Sequence, residues 1–268
     1  MTATVQLSRT DPVRSSLAAF AYWLQQYRRT WRGTVVISVA NPALFLTALG
    51  FGLGKLVDAH HSHYLHGHSY LAFLAPGLVA AAMMQTAYIT CAGPVFNAAR
   101  PGGAYRSAVA TPIEPGEVFA GHVLFAAFRV LTSGAAFAII AALYGAVSPA
   151  RAAPLVGAAL ATGLAFTAPV AAWAVTVDRA SGLNACFRFV IMPMYMFSGT
   201  FFSTAQLPTW LRVVAECTPL YQGTALCRAA TLGGSDPQSV LLHLAYLLAV
   251  FTAGLWFGAR TYRRVLTA

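Results

Sequence analysis

The stretch "LTALGFGLGKLV", Leu46 to Val57, sets Gly50, Gly52 and Gly54 in alternation before Lys55, a composition that invites a nucleotide-binding reading. A phosphate loop needs Gly, four residues, then Gly-Lys-Ser/Thr, so that backbone N–H groups wrap the phosphates and a hydroxyl reaches magnesium. Here Leu49 stands five before Gly54, and Leu56 stands where the hydroxyl belongs. The G-x-G-x-x-G pattern fails as well, with Val57 at its last position. Serine hydrolysis finds no support in "MFSG", because Met196 replaces the glycine of a G-x-S-G turn. No H-E-x-x-H occurs. "HHSHYLHGH" gathers His60, His61, His63, His66 and His68 without a Cys or Glu beside them, the pattern of a solvated loop rather than of a tetrahedral metal shell. Cys217 and Cys227 share one segment; in a continuous helix they stand about 15 Å apart, too far for a bridge, although Thr218-Pro219 is expected to break that helix. The chain is expected to hold no metal, no cofactor and no catalytic residue of its own.

The elements that carry these residues are membrane spans. Of the 268 residues, 58% are hydrophobic and 9% charged, against roughly 25% charged in a soluble domain. A helical span takes roughly 20 apolar residues. Six stretches qualify: Thr34 to Gly54, Ser69 to Ala92, Val118 to Val147, Ala153 to Val177, Phe187 to Ser203 (interrupted by Pro193) and Val240 to Gly258. The fold class is therefore an all-α integral membrane protein with six transmembrane helices. The net charge of +10 follows topology rather than nucleic acid. Arg9, Arg14, Arg28, Arg29 and Arg32 precede the first span, Arg100 and Arg106 follow the second, Arg179 the fourth, and Arg260, Arg263 and Arg264 the last. Basic residues mark the cytoplasmic side, so both termini are expected in the cytoplasm.

Three segments outside the spans have a pattern of their own. Residues 1–33 carry repeated charges and no continuous apolar core, so no signal peptide is expected. Within them Leu17, Phe20, Leu24, Tyr27 and Trp31 recur at helical spacing, which predicts an N-terminal amphipathic helix in the inner interface. Residues 93–117 form a cytoplasmic link in which "PGGAYRSAVAT" predicts a short helix, a candidate docking surface. Residues 203–236 mix Leu211, Val214, Leu220 and Leu226 with Arg212, Glu216 and Arg228, which predicts an outer re-entrant helical pair around Pro219 before the sixth span. The domain order is then 1–33, the permease body 34–258, and a basic tail 259–268.

Inside the spans the titratable groups are few. All seven acidic residues fall in loops or at span ends, which removes the usual proton relay. His122 and Arg129 lie seven residues apart on one face of the third span. An arginine near mid-span costs roughly 2.5 to 3.5 kcal/mol on insertion scales, so Arg129 is expected to face the bundle interior or an aqueous path, either bonding carbonyls or contacting a headgroup.

"NPALFLTALGFGLG", "YLAFLAPGLVA", "ATPIEPGEVFAG", "MYMFSGTFFSTAQLPTWL" and "PLYQGTALCRA" occur in that order along the chain. In this order they resemble the type-two permeases of ABC exporters, above all those of the nodulation lipo-oligosaccharide group and related drug exporters. The resemblance implies a pair of permeases, two copies or a copy with a homologue, energised by separate cytoplasmic ABC ATPase subunits that hold ATP and magnesium. It implies that Arg100, Tyr105 and Arg106 belong to the segment coupled to the ATPase, and that Gly50, Gly52 and Gly54 serve close helix packing. The setting is the inner membrane of a bacterium, in contact with lipid. Walls of apolar and aromatic residues suit an amphipathic substrate: a lipo-oligosaccharide, glycolipid, lipid-linked glycan or hydrophobic drug. Relatives usually carry acidic residues in the link and just after the glycine that opens span three, where this chain has Ala98, Ala99 and His122. A membrane assembly or immunity protein without transport, and a secondary carrier, are the alternative classes; a carrier needs repeats and an ion-coupling site that the sequence lacks.

Overall fold

Every regular element in the computed structural model is helical among the residues it describes, which are 11–53, 69–234 and 236–267, with the side chains of 33–42, 50, 51 and 53 left aside. The elements are α1 (Pro12–Phe45), which continues through wide π-type turns over Leu46–Leu53, then α2 (Tyr70–Ala99), α3 (Ala104–Val109), α4 (Pro115–Leu143) and α5 (Pro149–Ala174). They continue as α6 (Ala180–Cys186), a π-type passage at Phe187–Ile191, α7 (Met192–Phe197), a 3-10 turn at Thr204–Gln206, α8 (Thr209–Glu216), α9 (Pro219–Leu232) and α10 (Pro237–Leu266). Among the described residues α2, α4, α5 and α10 are long and apolar enough to cross a membrane.

The centre of the bundle is α2 and α5. Burial covers 72% of the most apolar window of α2 but only 11% of that of α10, so α10 is peripheral and presents Leu241, Leu242, Leu248, Trp256 and Phe257 outward. Such a surface is stable only against hydrocarbon or another chain. Close approach comes from glycines set against bulky neighbours. A Cβ on Gly258 would overlap the Phe119 ring, and one on Gly254 would lie 2.5 Å from the Pro169 ring, which brings α10 onto α4 and α5. Helix-internal prolines such as Pro76, Pro94 and Pro169 are tolerated because neighbouring helices and local adjustments satisfy the freed carbonyls.

Two expectations change. The amphipathic N-terminal helix and the first span are not separate elements: Pro12–Phe45 is one helix, since Gly33 alone costs only about 1 kcal/mol and no cap or proline breaks the chain there. The middle of its apolar stripe is covered by protein. Phe20, Trp23 and Tyr27 pack edge-on against Phe125 and Phe128 of α4, or stack on them, while Leu17 and Trp31 stay exposed. The helix accompanies α4 from Ser16, whose carbonyl lies against Gly121, to Thr47, whose hydroxyl is 3.0 Å from that of Tyr144. The fifth expected span is shifted: one helical run, α6, the π-type passage and α7, covers 180–197 with helical backbone angles at both junctions and Pro193 just after the wide turn. A proline cannot donate the helical bond, and its ring presses on the preceding turn, so the backbone widens immediately before it and stays helical.

The chain's crossings sort its connections into two ends. At one end lie the α2–α4 link, the start of α1 and the finish of α10, where Arg263 meets Glu114 at 3.8 Å. At the other lie the α4–α5 turn and the α8–α9 pair, joined where Arg151 donates to the Thr231 carbonyl at 2.5 Å. Thr218-Pro219 does break the segment into α8 and α9; all four cysteines are free, Cys217 exposed and Cys227 buried.

Candidate functional site

The link between α2 and α4 folds back on the bundle through "RPGGAY". Gly102 takes φ +79°, a left-handed conformation that costs side-chain-bearing residues about 1 to 2 kcal/mol. Gly103 then caps α3 so close to the last carbonyls of α2 that a Cβ would lie 2.6 Å from the Asn97 oxygen. The exit is equally fixed. Thr111 Oγ1 donates to Ala108 at 2.6 Å, and the Glu117 carboxylate accepts the Glu114 N–H at 2.9 Å, with Pro115 opening α4. The result is a one-and-a-half-turn helix lying under the ends of α2 and α4.

Tyr105 points into the protein. It is 2% exposed, and its hydroxyl lies 2.8 Å from Nδ1 of fully buried His122. The other ring nitrogen, Nε2, lies 3.2 Å from the Thr90 carbonyl of α2. A carbonyl only accepts, so Nε2 carries the proton, Nδ1 is the acceptor and the Tyr105 hydroxyl donates to it. Burial holds the Tyr105 phenol well above its ordinary value of 10.0, with Tyr262 adding to the rise, which keeps it a donor. Around this pair Trp23 stands edge-on to both His122 (4.8 Å) and Tyr105 (6.1 Å), and Tyr262 of α10 lies 5.7 Å from Tyr105 and 4.8 Å from Phe119. Beside it a pocket of about 420 Å³ opens between α1 and α3, lined by Ala18, Tyr22, Trp23, Tyr105, Ala108 and Ile113 among others.

The expected site residues are thus divided. Arg106 is exposed on α3, with Nε 3.4 Å from the Ala99 carbonyl. Arg100 is spent internally: it donates to the Val177 and Asp178 carbonyls beyond α5, and its guanidinium covers the Phe96 ring at 4.3 Å. Tyr105, expected with Arg106 in the coupling segment, turns inward from α3, because a ring that size on a helix of small residues gains more by burial than by contact with water. Arg129 is 7% exposed, and its guanidinium lies 4.3 Å over the Tyr27 ring in the α1–α4 seam. A Cβ added to Gly52 would meet nothing within 4 Å among the described residues; Gly50 lies in the π-type turns, and Gly54, Lys55 and the histidine cluster fall outside the described residues. Among the described residues no three His, Cys, Asp or Glu side chains gather as metal ligands.

Trp23, Tyr262 and Arg228 escaped sequence reasoning. Arg228 ties α9 to the bundle, donating to the Gly199 carbonyl at 2.6 Å and lying 3.7 Å over the Phe73 ring. The available signal for Trp23 was its place on the same helical stripe as Phe20 and Tyr27; Tyr262 sits in a basic tail where nothing marked it for burial.

The sequence of this chain matches the ABC-2 type transporter family over residues 17–232. The chain belongs to that family. It is similar to nodulation protein J of Sinorhizobium fredii (strain NBRC 101917 / NGR234), 31% identical over 84% of this chain and 86% of that protein. It is also similar to nodulation protein J of Bradyrhizobium diazoefficiens, 29% identical over 96% and 98%, and to that of Rhizobium leguminosarum bv. viciae, 29% over 84% and 87%. As an ABC-2 permease it is a multi-pass membrane protein of an export system, and α1 to α9 all fall within or overlap the matched region.

Proposed function

We propose that the chain is the membrane half of an ATP-driven exporter in the bacterial inner membrane, with α3 as the surface on which a separate ABC ATPase docks. The observation that carries this reading is α3 itself, braced from within by Tyr105 and His122 while Arg106 faces outward. A brace of this kind lets a six-residue helix bear load. The bundle then crosses the membrane six times, through α1, α2, α4, α5, the α6–α7 pair and α10, with the α3 end and both termini in the cytoplasm. Two copies, or this chain and a homologue, form the complete permease. The substrate is amphipathic, a lipid-linked or lipid-modified glycan or a hydrophobic drug, in keeping with the nodulation proteins it resembles and with its apolar walls. Arg129 braces the α1–α4 seam against Tyr27: Arg129→Leu lowers stability and export falls in proportion to the surviving protein, whereas export lost per folded permease would put Arg129 at the path or at a lipid headgroup.

The test is purification of the tagged chain from its native membrane in mild detergent. An ATPase with a complete phosphate loop is expected to accompany it, and a cysteine at Arg106 is expected to crosslink to that subunit. The chain freed of its partner is expected to hydrolyse no ATP above a Lys55→Ala control. Hydrolysis by the lone chain, or its recovery without any ATPase, overturns the assignment.

A further inference from the structure

Four elements meet at one imidazole, and a fifth reaches its phenol partner. His122 belongs to α4, its Nε2 donates to α2 at Thr90, its Nδ1 accepts from α3 at Tyr105, Trp23 of α1 closes one face, and Tyr262 of α10 flanks Tyr105. The two partners of the ring have opposite needs. The Thr90 carbonyl requires a donor, and the buried Tyr105 hydroxyl requires an acceptor for its proton. A neutral imidazole supplies both at fixed separation. A carboxylate at this position would accept from Tyr105 but face the Thr90 carbonyl oxygen with a second oxygen, leaving a buried charge against an acceptor. The site is built for histidine.

We infer that His122 is a positioning residue that clamps α3 to α2 and α4 through Tyr105, so that a displacement imposed on α3 is delivered to those two helices. The inference rests on the reading of α3 as the docking surface. Apart from this bond α3 is held by apolar packing on Trp23, Tyr262 and its neighbours, which fixes position less sharply than a directed hydrogen bond: its own helix is one and a half turns, it is entered through a glycine pair, and Arg106 reaches the Ala99 carbonyl only at 3.4 Å. On the other flank of Tyr105 the pocket between α1 and α3 leaves room for the ring to move once the bond to His122 is gone.

The permease–ATPase complex, purified intact, is examined by hydrogen–deuterium exchange with and without ATP plus vanadate, alongside Tyr105→Phe, His122→Gln and His122→Asn. Phenylalanine keeps the ring and deletes the donor. Asparagine keeps an acceptor near the Nδ1 position but loses the arm to Thr90; glutamine reaches toward Thr90 and abandons Tyr105. In the resting complex, exchange across residues 104–109 is expected to rise roughly tenfold in Tyr105→Phe and His122→Gln, the size of one buried bond left unmade, and to stay near wild type in His122→Asn. On adding nucleotide the wild type is expected to respond at α3, α4 around residue 122 and α2 around residue 90; Tyr105→Phe and His122→Gln lose the α2 and α4 responses, and His122→Asn loses only that of α2. Wild-type exchange and wild-type responses in Tyr105→Phe and His122→Gln overturn the clamp, as does a wild-type complex that responds at α3 alone. A merely structural role would lower the yield of complex and leave the pattern of responses intact. Loss of the Arg106→Cys crosslink to the ATPase in the otherwise wild-type complex would instead sink the docking reading.

Discussion

A buried arginine in a membrane helix is costly enough that its partners identify its job. For Arg129 that partner is the face of Tyr27, 4.3 Å away, rather than a carboxylate. A guanidinium on an aromatic face contributes about 0.5 to 2 kcal/mol, increasing as water is excluded. The planar fork matters here, so lysine is a poor substitute. Arg129→Lys and Tyr27→Leu are each expected to lower the melting temperature of the purified permease, and the double variant to lose about 1 kcal/mol less than the sum, since the two share one interaction. Strict additivity in that cycle would dissolve the pair. The burial of Arg129 was legible from its place among apolar residues. Tyr27 was not, because sequence periodicity assigned it to a helix resting on lipid, whereas the ring lies between Phe125 and Phe128 of α4. An amphipathic stripe says that something apolar covers it and is silent on whether that is lipid or protein. Tyr105 shows the same limit: its helix was legible, its inward rotation was set by a histidine seventeen residues on.

At the scale of elements, α2, α4, α5 and α10 were legible from hydropathy alone, and a disturbance at Pro193 from the chemistry of proline, which the helix meets with a wide turn rather than a stop. Alternation marks Gly50, Gly52 and Gly54 in the sequence, whereas nothing marks Gly254 and Gly258, which are among the glycines that bring described helices together, each opposite a ring on α5 or α4. Only the facing residue tells a packing glycine from a permissive one, and that residue is far away in sequence. The difference is measurable. Gly258→Ala places a methyl inside the Phe119 ring and is expected to cost about 1 to 3 kcal/mol through forced movement of α10 from α4. Gly52→Ala meets nothing within 4 Å among the described residues and is expected to be neutral or to stabilise by about 0.5 to 1 kcal/mol through helix propensity. Thermal unfolding of the two variants in the same detergent checks both; equal effects would show that the α4–α10 seam is looser than the overlap implies.

For the whole molecule the decisive question is which end of the bundle faces the cytoplasm, and the natural cysteines provide the probe. Arginine counts lead to the expectation that the α3 end is inside, and the structure gathers the α2–α4 link, the start of α1 and the finish of α10 at that one end, as an even number of crossings would require. The α8–α9 turn lies at the opposite end, where Tyr246 donates to the Cys217 carbonyl at 2.6 Å and leaves the thiol exposed. Cys91 and Cys227 are buried and Cys186 is partly covered, so Cys217 is the native thiol best placed to react. In intact cells with a permeabilised outer membrane, a membrane-impermeant maleimide is expected to label the wild-type chain, and Cys217→Ser to remove most of that label. Ser107 lies on α3 at the other end, exposed. In the Cys217→Ser background, Ser107→Cys is expected to stay unlabelled in intact cells and to react at once when the inner membrane is opened. The converse pattern, Ser107→Cys reacting from outside and Cys217 only after lysis, would turn the molecule over and detach α3 from any cytoplasmic ATPase. Between the two positions the chain passes through α4, α5 and the helical run of α6 and α7; if all three cross, as the six-span reading expects, the two positions lie on opposite sides. Labelling of both from one side would require an even number, and would take the α6–α7 run out of the set of crossings.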